Sequence, residues 1–218
     1  SFATNESDSY ALEEALQIKE KLSGEVVAIT FGKESSTQVI KDALAKGADR
    51  AIFVNNDGME NFDILSIGKV LSQKLKEEKF DLILSGLQSN DNGFSQIGLL
   101  VAELLSTSHA TLVMGTEILD DNTIKIKQEL ENGWFQWTEL DFPASLTIQS
   151  GINTPRYAAL RGIMMAKNKP VKNIEINSSE YSSLLSLDKL YIPSKSKETQ
   201  FIDGTSDEIA SNVVGVQW

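Results

Sequence analysis

The feature that most constrains this chain is an alternation. Short apolar runs follow amphipathic stretches in strict succession over the first half of the sequence. Val26-Val27-Ala28-Ile29-Thr30-Phe31, Ala51-Ile52-Phe53-Val54 and Asp81-Leu82-Ile83-Leu84-Ser85 are four to six residues long and rich in branched side chains, as buried parallel strands are. Between them lie segments of helical period. Asp8 is placed to cap a helix running to about Leu22, with Ala11, Leu12, Ala15, Leu16 and Ile18 on one face and Gly24 at its end. Further helices are expected over about 36–46, 63–78 and 96–105. The order predicts βαβ units and a doubly wound, mostly parallel α/β sheet.

The pattern changes after Leu105. Segments 110–119, 123–130 and 134–140 read as strands, separated by the turn signals Asp120-Asp121-Asn122 and Glu131-Asn132-Gly133. A β-hairpin inserted into the α/β plan is the expectation. Ala144 to Gln149 returns to the core, and a short helix follows near 159–167. The α/β domain is expected over residues 1–170. Residues 171–218, rich in Ser, Lys and Asn, read as an extended arm with a last helix from about Thr205. A doubly wound sheet also needs a strand between those at 26–31 and 81–85, and nothing before Asp8 supplies it. Two rows of backbone groups would go unpaired. The expectation is that further residues precede Ser1, or that this strand comes from elsewhere.

Composition removes whole classes of function. The chain has no cysteine and one histidine, His109, so thiolate chemistry, disulfides and Cys- or His-rich metal sites are excluded. The formal net charge of -11 repels phosphate backbones, and nucleic acid is not an expected partner. Apolar runs fall well short of the roughly 20 residues that span a bilayer, so direct membrane insertion is not expected. No signal peptide is visible. His109 reads as a packing residue, Trp134, Phe135 and Trp137 as core or subunit-interface residues, and Glu13-Glu14 as a solvated helix face. Gly32 to Ser36 lacks the Walker and dinucleotide glycine spacings.

The segment Gly86-Leu87-Gln88-Ser89-Asn90-Asp91-Asn92-Gly93-Phe94-Ser95-Gln96-Ile97 leaves a buried strand and opens a helix. In open α/β sheets nucleotides bind beyond the strand carboxyl ends, where free helix N–H groups attract phosphate. Gln88, Ser89, Asn90, Ser95 and Gln96 add uncharged hydrogen-bonding groups. Asp91 suits a ribose hydroxyl or a bracing role, since it would repel phosphate. On spacing alone two readings stay open: a nucleotide loop, or a capped loop of polar turn residues.

This segment resembles the adenine-nucleotide loop of electron-transfer flavoprotein beta subunits, which have an adenine-nucleotide-hydrolase-like fold. Asn5-Glu6-Ser7-Asp8 with Ala11 to Leu16, Ala43 to Arg50, and Asn153-Thr154-Pro155-Arg156-Tyr157-Ala158-Ala159-Leu160 match the family in the same order. Leu190-Tyr191-Ile192-Pro193 and Ile202-Asp203-Gly204-Thr205 resemble the arm of its methylotroph-type branch. The resemblance implies an electron carrier without independent catalysis. It would pair with an alpha subunit holding the redox-active FAD, with the arm packing on that subunit. AMP would be bound structurally by Asn5, Glu6, Ser7, Asp8, Phe31, Gly86, Gln88, Ser89, Asn90, Asp91, Asn92, Gly93, Phe94, Ser95, Gln96 and Ile97. At the position of Ile97 the family usually has Thr, so phosphate binding would rest on backbone N–H groups, Ser95 and Gln96.

Gly151, Ile152, Asn153, Thr154, Pro155, Arg156 and Tyr157 match the family's recognition loop, with Ile152 at the apolar tip that would enter a flavin dehydrogenase and Arg156 and Tyr157 as braces. A membrane quinone oxidoreductase is the implied acceptor. The implied location is the bacterial cytoplasm, with the mitochondrial matrix as the alternative. Two other functions are weighed: a bifurcating-type subunit holding a second FAD, and an ATP-using enzyme of the related hydrolase fold.

Overall fold

A computed structural model describes residues 3–56, 62–192, 199 and 201–214. The chain divides into a large unit, Ser1–Ser186, and a small one, Leu187–Trp218.

The large unit alternates as the periodicity requires. Its elements are α1 (Glu6–Leu22), β1 (Val27–Gly32), α2 (Thr37–Lys46), β2 (Arg50–Asn55), α3 (Ile64–Leu75), β3 (Leu82–Gly86) and α4 (Ile97–Leu105), then β4 (Ser108–Ile118), β5 (Thr123–Glu129), β6 (Phe135–Asp141), β7 (Ala144–Ile148), α5 (Leu160–Ala166) and β8 (Val171–Glu175). Two boundaries differ from the sequence reading. Helix α1 begins before Asp8, which falls in its first turn. It ends through Ser23 in the left-handed region (φ 60°), with the Ser23 N–H donating to the Lys19 carbonyl, rather than at Gly24.

The strands form two sheets where one was expected. Strands β1, β2 and β8 make an all-parallel sheet in that order. The second runs β3-β7-β4-β5-β6; β3, β7 and β4 are parallel, and β5 and β6 are antiparallel additions. Among the described residues β1 pairs only with β2, and β3 only with β7. These are the two strands between which the sequence demanded another. Every residue of β1 is only half-buried, whereas β7, paired on both sides, is buried throughout. Strand β8 was expected to belong to the arm. It pairs with β2 instead, and Ile174, Ile176 and Tyr181 pack on Ile52, Val54 and Val70, so the compact body continues past residue 170 to Ser186.

Helix α1 joins the two sheets. Ala11 and Tyr10 pack with Leu82, Leu84, Ala144 and Leu146 of the five-stranded sheet. Leu12, Ala15 and Leu16 pack with Val26, Ile40, Ala43 and Leu44 beside the three-stranded one.

Asp63 caps α3 and clamps a distant segment. Its Oδ1 accepts the Ser66 N–H at 2.8 Å, while Oδ2 accepts the amides of Leu184 (2.6 Å) and Leu185 (3.1 Å). Bonds from Ser66 first, then from these amides, hold its carboxyl down at about 2. The clamp is therefore complete above the ordinary aspartate value of 3.8 and is lost as pH falls through about 2. Leu184 and Leu185 amide resonances followed during acid titration are expected to shift together near that lower value, and the Asp63→Asn variant is expected to remove the transition.

In the small unit α6 (Ser206–Val214) is capped by Glu208, whose Oε2 accepts the Thr205 N–H and hydroxyl, each at 2.8 Å. Large apolar side chains there, including Leu187, Leu190, Tyr191, Ile192 and Phe201, are exposed. Pro193 of the arm motif lies outside the described residues.

Candidate functional site

Strands β3 and β7 are parallel neighbours, and Gly86 stands opposite Ile148 at their carboxyl ends. The Leu87 N–H donates to the Ile148 carbonyl at 3.0 Å, after which the two chains part. The loop from β3 leads to α4; the loop from β7 leads to α5. Both are fastened to α1, but at different levels.

The first loop is held by the start of α1. Asn5 Nδ2 donates to the Gln88 carbonyl (2.9 Å) and Asn5 Oδ1 accepts the Asn90 N–H (2.9 Å). Ser7 Oγ donates to the same Gln88 carbonyl at 2.8 Å, and Asp8 Oδ1 accepts the Gly86 N–H at 2.6 Å. Within the loop, Gln88 Nε2 donates to the Gly93 carbonyl (2.8 Å), the Phe94 N–H to Ser89 Oγ (3.3 Å) and the Asn92 N–H to Asp91 Oδ1 (2.6 Å). Gln88, Ser89, Asn90 and Asp91 thus brace the turn, and Gly93 supplies its left-handed residue (φ 69°).

The start of α4 is different. Gln96 precedes the helix without a side-chain cap, and the first helical bond runs from the Leu100 N–H to the Gln96 carbonyl. The amides of 97–99 have no partner within the helix, and they lie at its positive end. Ile97 offers only its amide. Ser95 and Gln96 precede it in the chain with hydrogen-bonding side chains, and the Ser85 hydroxyl stands against Gly98. Gly98 and Gly86 are tight: a Cβ on Gly98 would lie 2.4 Å from Ser85 Oγ, and one on Gly86 2.6 Å from the Asp8 backbone nitrogen. The start of α4 is therefore pressed at Gly98 onto Ser85 of β3 and Thr147 of β7, and the start of α1 is pressed onto the end of β3 at Gly86. Phe31, near the end of β1, packs on the cluster of Ile52, Val54 and Val70. Glu6 is exposed in the first turn of α1.

The second loop is held by the body of α1. Asn153 Nδ2 donates to the Tyr10 carbonyl (3.1 Å) and to Glu14 Oε2 (2.9 Å), and Glu14 Oε1 accepts from the Thr116 hydroxyl. Arg156 spans two carboxylates. Its backbone N–H (3.1 Å) and Nε (2.8 Å) reach Glu13 Oε2, and Nη2 reaches Glu13 Oε1 (3.0 Å) and Glu20 Oε2 (3.2 Å). Burial alone would raise the Glu13 pKa; the bonds from Arg156 and Gln17 outweigh it and hold the carboxyl below its ordinary value. The same pairing raises the Arg156 pKa further.

Glu13 and Glu14 are thus buried, where the sequence suggested a solvated face. At 3.6 residues per turn they lie off the Ala11, Leu12, Ala15, Leu16 stripe, so nothing local in the sequence signals their burial. Ile152 packs on the core cluster of Val113, Ile124 and Ile148 and does not stand free at a tip. Exposure moves further along the chain, to Tyr157 (97% exposed) and Leu160 (75%). His109 is exposed on β4, its Nδ1 3.4 Å from the Thr107 carbonyl oxygen. Among the described residues no cluster of three metal-ligating side chains exists, and no helix is long and apolar enough to cross a membrane.

Comparison with known proteins accords with this arrangement. Residues 2–179 match the family model described as the electron transfer flavoprotein domain. The electron transfer flavoprotein subunit beta of Methylophilus methylotrophus is 37% identical, covering 97% of this chain and 84% of that protein. The subunit beta of Bacillus subtilis is 34% identical over the same shares. A probable subunit beta from Saccharomyces cerevisiae is 32% identical over 80% of this chain and 68% of its own length. On a match that covers most of the sequence and includes both loops, this chain belongs to the electron transfer flavoprotein family, as a beta subunit.

Proposed function

We propose that this beta subunit binds one AMP structurally at the turn between β3 and α4, pairs with an FAD-bearing alpha subunit, and docks flavin dehydrogenases through the 151–157 loop and its continuation to Leu160. Electrons then pass from dehydrogenase to alpha-bound FAD and on to an acceptor such as a membrane quinone oxidoreductase. The chain has no independent catalysis, adopts an adenine-nucleotide-hydrolase-like fold with β5–β6 as an inserted hairpin, and works in the bacterial cytoplasm. The residues beyond Ser186 serve as an arm that packs on the alpha subunit.

One observation supports the adenylate reading above the others. The side chains of Asn5, Ser7, Asp8, Gln88 and Ser89 are all engaged in holding the loop, while the amides that start α4 have no intrahelical partner. That division of labour leaves backbone N–H groups for a phosphate and needs no basic side chain. Release of bound nucleotide from the purified chain by acid, followed by chromatography, is expected to yield AMP in one-to-one ratio. FAD in that ratio would establish the bifurcating reading instead, and an empty chain would end the adenylate assignment.

The docking reading now rests on Leu160 and Tyr157. A small exposed apolar contact suits a transient complex, because it releases quickly. Leu160→Ala is expected to weaken dehydrogenase docking by about tenfold or more, about 1.4 kcal/mol, with an unchanged melting temperature. Ile152→Ala is expected to lower stability instead, since that side chain is packed on the core. Steady-state electron transfer and thermal melts on the two variants separate these outcomes.

A further inference from the structure

Helix α5 is seated on α2 through a glycine. A Cβ on Gly162 would run into the Ala45 carbonyl oxygen, and Ala166, one turn further on, packs on the cluster that holds Ile40, Ala43 and Leu44. That contact fixes which way the rest of the helix faces. At about 100° per residue, Leu160 and Met164 both lie about 160° away from Gly162, on the side turned from α2. Exposure agrees, with Met164 at 65% and Ile163 beside it at 48%. Leu160 and Met164 are four residues apart, so their side chains adjoin on the helix surface. The result is an apolar strip continuous with the exposed Tyr157. Arg161 and Lys167 stand exposed at the two ends of the same short helix. In a chain of formal net charge -11, an apolar strip with a cationic rim suits a partner hollow rimmed by carboxylates.

A thioether in that strip brings reactivity as well as packing. The chain has no cysteine, so no thiolate of its own competes with the methionines for a peroxide. Hydrogen peroxide can give one oxygen to the Met164 sulfur. The O–O bond breaks and a sulfur–oxygen bond forms; sulfur is oxidised by two electrons. The transferred oxygen passes its proton to the other, which leaves as water. No further reactant is needed. The product is polar and chiral where the thioether was apolar and adaptable. Buried against an apolar hollow, the sulfoxide oxygen is an acceptor without a donor, which opposes docking. The other described methionines are placed differently. Met165, 51% exposed, is about 60° from Gly162 and so leans toward α2, off the strip. Met114 is half-buried on β4, against Gly151.

We propose that Met164 is a reversible oxidation site: peroxide converts its thioether to the sulfoxide, which lowers affinity for flavin dehydrogenases until a dithiol-dependent sulfoxide reductase restores it. The inference rests on the docking reading given above. The test treats the complex of this chain and its flavin-bearing partner with dilute hydrogen peroxide. Peptide mass spectrometry locates the added oxygen, and steady-state electron transfer from a flavin dehydrogenase gives the KM for the carrier. Met164 is expected to be oxidised ahead of Met114, and the KM to rise about fivefold or more at an unchanged melting temperature. Reductase with a dithiol is expected to reverse both changes. Each variant is compared with its own untreated form: the rise is expected to vanish in Met164→Leu and to persist in Met165→Leu. A rise that persists in Met164→Leu, or a Met164 fully oxidised with KM unchanged, overturns the assignment. So does a loss that the reductase removes from Met164 without restoring docking. If Leu160→Ala docks as wild type does, the docking reading itself falls and takes this inference with it. If Leu160→Ala weakens docking and oxidised Met164 does not, this inference alone falls.

Discussion

Gly86→Ala is expected to cost about 1–3 kcal/mol of stability and to empty the candidate adenylate site. Gly86 ends β3, and the added Cβ would sit 2.6 Å from the Asp8 backbone nitrogen, 2.7 Å from Ser7 Oγ and 2.8 Å from the Ser7 carbonyl carbon. Two of these three atoms are main chain, so a rotamer change does not relieve the clash. The first turn of α1 has to move away from the strand. With it go the bonds that shape the loop: Gly86 N–H to Asp8, Ser7 to the Gln88 carbonyl, and Asn5 to Gln88 and Asn90. Loop and helix start then lose their shared geometry, and phosphate binding through main-chain amides depends on that geometry. Gly24→Ala is the control, because nothing lies within 4 Å of the added atom. It is expected to change stability by no more than about 0.5 kcal/mol. Urea denaturation together with nucleotide analysis decides the matter. A Gly86→Ala protein as stable and as well loaded as wild type would contradict the close packing described.

Arg156→Ala is expected to be the more destabilising of the two, by about 3 kcal/mol at neutral pH. The substitution leaves the buried Glu13 carboxylate without its guanidinium and also frees Glu20. An unpaired buried carboxylate costs more than the lost attraction, because its desolvation is no longer offset. The pH dependence follows from the direction of the shift. In the wild type the Glu13 pKa is depressed below 4.5, so its contribution is fully present above that value and is lost as pH falls through the lower folded value. In the variant the guanidinium no longer opposes burial, which raises the same pKa, and only the Gln17 bond and the backbone N–H at 156 still lower it, so protonation relieves part of the penalty. The difference between the two proteins is therefore expected to be largest near neutrality and to shrink as pH drops below about 4. Denaturation midpoints at several pH values measure it; a gap that widens on acidification would contradict the pairing. The 151–157 loop is tied to α1 by this same cluster, so docking to a dehydrogenase is expected to weaken with it. Conservative Arg156→Lys restores charge but not the two-carboxylate fork, and only partial recovery is expected.

The elements themselves were legible. Period-3.6 stripes placed α1, α2 and α4 within two residues of their observed ends and overran the end of α3 by three, and the branched apolar runs placed β1, β2 and β3. The turn signals at 120–122 and 131–133 separated β4, β5 and β6 in the antiparallel order found. The candidate loop was legible too, because a polar turn between a buried strand and a helix is a local pattern. What misled was equally local in origin. Glu13-Glu14 reads as a solvated pair because acidic residues on a helix usually are; nothing nearby in sequence announces Arg156 or Thr116. Ile152 stands at a loop tip only by the family resemblance; its place on the cluster that includes Val113, Ile124 and Ile148 comes from strands it does not belong to. Residues 171–175 read as arm because Lys and Asn interrupt the apolar pattern, yet β2 accepts them as an edge strand.

By itself, then, the sequence determined the order and type of the elements, the exclusion of thiol chemistry and of Cys- or His-rich metal sites, and a resemblance extending along most of the chain. Each of these depends on neighbours within a turn or two, or on composition, where propensity and periodicity act directly. Only the tertiary structure decided that the strands divide into two sheets, that α1 bridges them, and that two carboxylates are buried to hold a loop. Those outcomes depend on which strand edges meet and which charges find partners across separations as long as the 143 residues between Glu13 and Arg156. Such contacts form when distant surfaces exclude water together, and no local stretch of chain encodes its own partner.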